Sequence, residues 1–235
     1  MTNETRVYRQ VGAPELRQKG DATMIAGYAA VFNRLSQNLG GFVEEVDPGA
    51  FTETLGRTER NITGLANHNV DWLLGTTLSG TLRLSVDGTG LPYEIDLDLT
   101  DPDAQRVAAK VGTRKMLGSS FSFRAIEDAW STTEQGFPLR RLLAVELFDV
   151  GPVTNPAYLD TQADGMSVAL RSLSKVIDRP FDQVVEAARS NTLKDLISRD
   201  LGNDAEGPQG VPSPGEPAEG AAPRGRRNPP SSASS

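Results

Sequence analysis

His68 is the chain's one histidine, and the chain contains no cysteine. Imidazole is the side chain that exchanges protons near neutrality without special tuning, so His68 is the natural general base for any neutral-pH chemistry. Its setting, Leu65-Ala66-Asn67-His68-Asn69-Val70-Asp71-Trp72, is polar on both sides. That predicts a loop or strand edge, a setting equally compatible with an ordinary surface histidine. Gly118-Ser119-Ser120-Phe121-Ser122-Phe123 offers three hydroxyls. In a strand, Ser120 and Ser122 face one way while Ser119, Phe121 and Phe123 face the other. If the phenylalanine face is core, Ser120 meets a cleft and could act as a nucleophile; a plain strand edge of small residues would read the same. Leu142–Val150 carries two carboxylates, Glu146 and Asp149. By a period of two, Leu143, Val145, Leu147 and Asp149 share a face, with Glu146 on the opposite one. A carboxylate on an apolar face needs a charged or hydrogen-bonding partner, and orienting a base histidine is one way to supply it. A salt bridge, or a turn cap before Gly151-Pro152, is another. His68, Ser120 and Asp149 therefore form a candidate nucleophile–base–acid set.

The elements that must position these residues are legible in outline. Thr23–Phe32 reads as a buried strand with a close approach at Gly27. Asp47-Pro48 predicts a short helix, with Asp as N-cap, Pro at the first helical position, and Phe51 and Leu55 on one face. Residues 81–99 predict a hairpin turning at Asp87-Gly88-Thr89-Gly90. Asp101-Pro102 starts a second helix, with Val107 and Val111 in its stripe, that runs to about Leu117 and ends at Gly118. Strands follow over about 119–126 and 139–150, the second stopped by Gly151-Pro152 and Asn155-Pro156. Residues 166–201 predict helices, one starting near Pro180 and Asp182 with Val184, Val185 and Ala188 as its core stripe. The expected organisation is a polar arm over 1–22, a core domain over 23–165, helices packing on it over 166–201, and a tail over 202–235. That tail is Gly, Pro, Ser, Ala and charge without an aromatic residue, which predicts disorder. The fold class predicted is α+β with a mainly antiparallel sheet or barrel.

Composition removes several classes. Without cysteine there is no disulfide framework and no thiolate site, and one histidine excludes two-histidine zinc motifs, leaving only carboxylates for a metal. No cofactor or metal is expected. A formal charge of −7 disfavours tight binding to nucleic-acid phosphates. No apolar run approaches the roughly 20 residues that cross a bilayer. The first residues lack a signal-peptide core. These readings predict a protein of the cytoplasm, or of a particle assembled there.

Taken in order, five segments resemble the prohead protease family of tailed phages. Gly27-Tyr28-Ala29-Ala30-Val31-Phe32-Asn33 is similar to the family's first strand. Glu45-Val46-Asp47-Pro48-Gly49-Ala50-Phe51 resembles the helix start that follows it. Asn67-His68-Asn69 with Leu74-Gly75 resembles the histidine segment, Gly118–Phe123 the nucleophile segment, and Leu147–Tyr158 the closing segment. Together they cover about residues 23–160.

The resemblance implies a fold similar to herpesvirus assemblin, a β-barrel with surrounding helices and a serine nucleophile. It carries the base onto His68, the nucleophile onto Ser120 and the acid onto Asp149. The herpesvirus enzymes use a second histidine as third member; with one histidine here, an acid must take that role. Ser122 stands where the family usually has Gly, Ser119 adds a third hydroxyl, and Gly151 stands where the closing segment usually has Ser. Ser120 is preferred over Ser122 and Ser119, and Asp149 over Glu146. Arg114, Arg124, Arg140 and Arg141 are candidates for stabilising an oxyanion. The implied function is a serine endopeptidase acting in the immature head within the host cytoplasm. Its implied substrates are scaffold, the N-terminal segment of the major capsid protein, and the protease itself, with no membrane and no specific nucleic acid as partner. A non-enzymatic head-assembly or scaffolding protein is the competing class, and a β-barrel binding module with an incidental His68 is a third.

Overall fold

A computed structural model describes residues 7–154 and 162–201. The tail predicted from residue 202 lies outside the described residues, as does the Asn155-Pro156 stop. The strands are β1 (Val7–Val11), β2 (Glu15–Lys19), β3 (Ala22–Val31), β4 (Val43–Val46), β5 (Thr63–Leu65), β6 (Leu73–Thr76), β7 (Leu82–Leu84), β8 (Gly90–Leu97), β9 (Gly118–Thr132) and β10 (Pro138–Val153). The helices are α1 (Thr52–Gly56), α2 (Pro102–Gly112), α3 (Gln162–Val176), α4 (Phe181–Arg189) and α5 (Leu193–Asp200).

The strands form two sheets. One has the order β1-β9-β10-β5-β6, with β4 also pairing β10; the other has the order β2-β3-β8-β7. Most pairings are antiparallel, but β10 runs parallel to both β4 and β5. The α+β class therefore stands. The closed barrel does not: among the described residues no backbone pairing joins the two sheets. They share one core instead. Phe121, Phe123, Leu147 and Val150 from the first sheet meet Ile25, Tyr93 and Ile95 from the second. Phe121 stacks on Phe123 with ring centroids 4.9 Å apart and meets Phe51 edge-on at 5.6 Å. Each such buried side chain contributes about 1.5–3 kcal/mol of transfer free energy. Gly27 marks the close approach its sequence predicts, since a Cβ there would lie 2.7 Å from Ser119 Oγ.

A second core holds the C-terminal helices. Leu170 and Leu173 of α3, Val184 and Ala188 of α4 and Ile197 of α5 pack with Phe42 and Trp130. Arg140 crosses between the layers. It is buried, pairs with Glu44 and Asp128, and Asp128 in turn accepts from Ser172 Oγ of α3. A guanidinium taken out of water needs such partners, and a planar fork can serve two carboxylates at once.

Four local expectations are corrected. The stretch read as a polar arm supplies β1 and β2, because backbone pairing to β9 and β3 needs no apolar side chain. Asp47 caps a turn through Gly49 N (2.8 Å), and α1 starts only at Thr52. α2 stops at Gly112, short of Leu117. Arg114 takes a left-handed φ of 54° and Met116 dives into the core, pulling the chain off the helix axis. β10 runs through Gly151-Pro152 to Val153. Its pairing with β5 has ended at Val150, so the missing proline N–H costs no bond on that side.

Candidate active site

The site is built on the long pair β9–β10. The register places Ser120 opposite Gly151 and Ser122 opposite Asp149, with Phe121 and Phe123 opposite Val150 and Leu147. The last four are core residues. Asp149 therefore lies on the serine face, away from Leu147, which a strict period of two does not allow. The cause is a bulge at Phe148: the register shifts between Leu147 and Asp149, and one extra residue turns every later side chain over. Further shifts at Leu142/Ala144 and Ala144/Val145 put Leu142, in place of Leu143, in the core.

A bulge frees backbone groups that must find partners. Here neighbouring side chains and one backbone carbonyl supply them. Thr54 Oγ1 donates to the Val145 carbonyl (2.8 Å) and accepts from Leu147 N (3.2 Å). Arg60 Nε donates to the Leu147 carbonyl at 3.2 Å. Ala50 O accepts from Val145 N at 2.9 Å. Helix α1 and the segment after it thus hold the irregularity that aims Asp149.

His68 reaches the same face from the other side. Parallel pairing sets Asp149 beside Thr63 and Val150 beside Gly64, so β5 ends next to the bulge. The turn Ala66–His68 then follows. Asn67 and His68 both adopt left-handed φ, 54° and 56°. Asparagine tolerates that region, and its Oδ1 is anchored by Thr154 N and Thr154 Oγ1, each at 2.8 Å. Gly151 permits the approach, because a Cβ there would stand 2.0 Å from the Leu65 carbonyl oxygen.

The three side chains meet. His68 Nδ1 lies 2.5 Å from Asp149 Oδ1, and His68 Nε2 lies 2.7 Å from Ser120 Oγ. With Nδ1–H donating to the carboxylate, Nε2 carries the lone pair and accepts from the serine hydroxyl. Asp149 is 1 % exposed and Ser120 3 %, while the imidazole keeps 11 % of its surface. A carboxylate so enclosed depends on its hydrogen bonds. The set can take a proton from Ser120 and stabilise the resulting imidazolium.

The alternatives are placed elsewhere. Ser119 lies on the core face, 2.9 Å from Tyr93 OH, whose phenol is pushed well above its usual range by burial. Ser122 Oγ donates to Asp149 Oδ2. Glu146 lies opposite Arg124 and so on the serine face too, not across the sheet as the period implies. It is bound between Arg60 and Arg124, neither solvated nor on the imidazole. Of the four arginines weighed for an oxyanion, Arg140 is engaged by Glu44 and Asp128, Arg141 by Glu45 and Asp47, and Arg124 by Glu146. Arg114 sits in the turn after α2. Sequence reasoning did not find Thr54, Arg60 or Asn67; of these only the polar Asn67-His68-Asn69 run carries a local signal.

A solved structure of the bacteriophage T4 capsid assembly protease is similar at 12 % identity and a TM-score of 0.45, covering 65 % of this chain and 98 % of that one. Among curated proteins no match was found. A profile described as caudovirus prohead serine protease matches residues 12–179, a span that holds His68, Ser120 and Asp149 and most of both sheets. By that match over more than half its length, the chain belongs to the caudovirus prohead serine protease family.

Proposed function

We propose that this protein is a serine endopeptidase of phage head maturation whose triad is Ser120, His68 and Asp149. The observation that carries the reading is the bridging imidazole, with Asp149 on Nδ1 and Ser120 on Nε2. His68 removes the Ser120 proton as Oγ attacks the scissile carbonyl carbon. The tetrahedral oxyanion collapses, His68 gives its proton to the leaving amine, and the acyl chain stays on Ser120 as an ester. Water, deprotonated by His68, then attacks the ester; the carboxylic acid departs and Ser120 recovers its proton. Asp149 holds the tautomer and the imidazolium throughout.

The substrates proposed are scaffold, the N-terminal segment of the major capsid protein, and the protease itself, cleaved inside the prohead in the host cell. Family membership and the acyl-transfer geometry support this reading, and enclosure in a shell raises the effective concentration of enzyme and substrate. The test incubates purified protein with its own Ser120→Ala form and with a phage major capsid protein and scaffold. Cleavage of these chains, with fluorophosphonate labelling of Ser120, is the expected result. Absence of both labelling and cleavage would return the protein to a non-enzymatic assembly role.

A further inference from the structure

We infer that Ser122 is a positioning residue for the acid, locking the Asp149 carboxylate so that Oδ1 stays on the imidazole. The inference rests on the triad reading above and extends it to a fourth side chain. Ser122 Oγ donates to Asp149 Oδ2 while Asp149 Oδ1 holds His68 Nδ1. Ser122 is fully buried and lies directly across the strand pair from Asp149. That facing exists only because of the bulge at Phe148. With regular alternation Asp149 would follow Leu147 into the core, out of reach of Ser122.

The terminal torsion of an aspartate is soft and two-fold, so one hydrogen bond leaves the carboxylate free to twist. A second donor on the other oxygen fixes the plane. A fixed plane keeps Nδ1 protonated and Nε2 aimed at Ser120, which the proton transfer requires. The same geometry gives Ser122 a role other than nucleophile. Its hydroxyl hydrogen is committed to a carboxylate, and the imidazole lone pair is directed at Ser120.

The experiment measures kcat and KM for Ser122→Ala, Asp149→Asn and the double variant in the full chain, with thermal melting as a control. Because His68 is the sole histidine, its imidazole N–H gives one low-field proton resonance that can be followed in the same samples. Ser122→Ala is expected to lower kcat on the order of tenfold with KM unchanged, the scale of a lost bond to a charged group. It should broaden or shift the N–H resonance, and add little further loss once Asp149 is already Asn. An equal loss in both backgrounds, or an unaltered resonance and kcat, would overturn the proposal and leave Ser122 a packing residue. Ser120→Ala, run alongside, separates the two readings. If it stays active the triad itself is wrong; if it is dead while Ser122→Ala is unaffected, only the positioning role falls.

Discussion

Ser120 Oγ lies 2.7 Å from His68 Nε2, although the two are 52 residues apart in the chain. Ser120→Ala removes only that oxygen, so cleavage and fluorophosphonate labelling should vanish while the melting temperature stays within a degree or two, as the small methyl group leaves the strand pair intact. Ser122→Ala should retain labelling. Labelling lost in Ser122→Ala but kept in Ser120→Ala would move the nucleophile one strand repeat along β9.

The serine proton passes to the imidazole in the first step, so cleavage should depend on His68. His68→Ala has no second histidine to replace it and should be inactive at every pH. A pH–rate profile of both proteins checks this, and a variant that keeps full activity near neutrality would remove His68 from the mechanism.

Asp149→Asn preserves shape but favours the wrong imidazole tautomer, a change that costs on the order of 10⁴ in turnover in a serine-protease triad. Glu146→Gln breaks half-buried pairs to Arg60 and Arg124 and should cost about 1 kcal/mol of stability with a small loss of turnover. Single-turnover cleavage by the two variants decides between the carboxylates. A crippled Glu146→Gln beside an active Asp149→Asn would exchange their roles.

Thr54 supplies both a donor and an acceptor to the bulged backbone of β10. Thr54→Val keeps the volume and leaves the Val145 carbonyl and the Leu147 amide buried without that partner, at a cost of about 1–3 kcal/mol. Turnover should fall beyond what the unfolded fraction explains, because the bulge aims Asp149. Denaturant unfolding and kcat on the same sample test it, with Thr54→Ser expected to restore most of both. Loss of stability with kcat intact would confine Thr54 to the fold.

A Cβ on residue 151 would sit 2.0 Å from the Leu65 carbonyl oxygen, so backbone must move to admit one. Leu65 leads directly into the turn that carries His68. Gly151→Ala should therefore lower both melting temperature and turnover, with the greater effect on turnover. Wild-type kinetics in Gly151→Ala would show that the turn accommodates the shift without disturbing the imidazole.

Residue types and local pattern narrowed the candidate chemistry, and the resemblance of five ordered segments selected within it. One histidine leaves one natural base, the alternating serines and phenylalanines of Gly118–Phe123 set one face toward a core, and Asp149 stood out as a carboxylate in an apolar strand. The hairpin at 81–99 and the C-terminal helices were legible for the same reason: turn residues and periodicity act between neighbours in the chain. The sheet arrangement was not, because whether two sheets close into a barrel depends on strand pairing across long separations. Nor was the face of Asp149. Period-two reasoning put it with Leu147, whereas the bulge at Phe148 turned it toward Ser122, and the groups that hold that bulge come from Thr54 and Arg60, far away in sequence. A bulge has no reliable local signature; it exists where distant donors and acceptors hold an extra residue in the strand. The sequence by itself thus determined which side chains can exchange a proton, and the tertiary structure alone decided which of them meet.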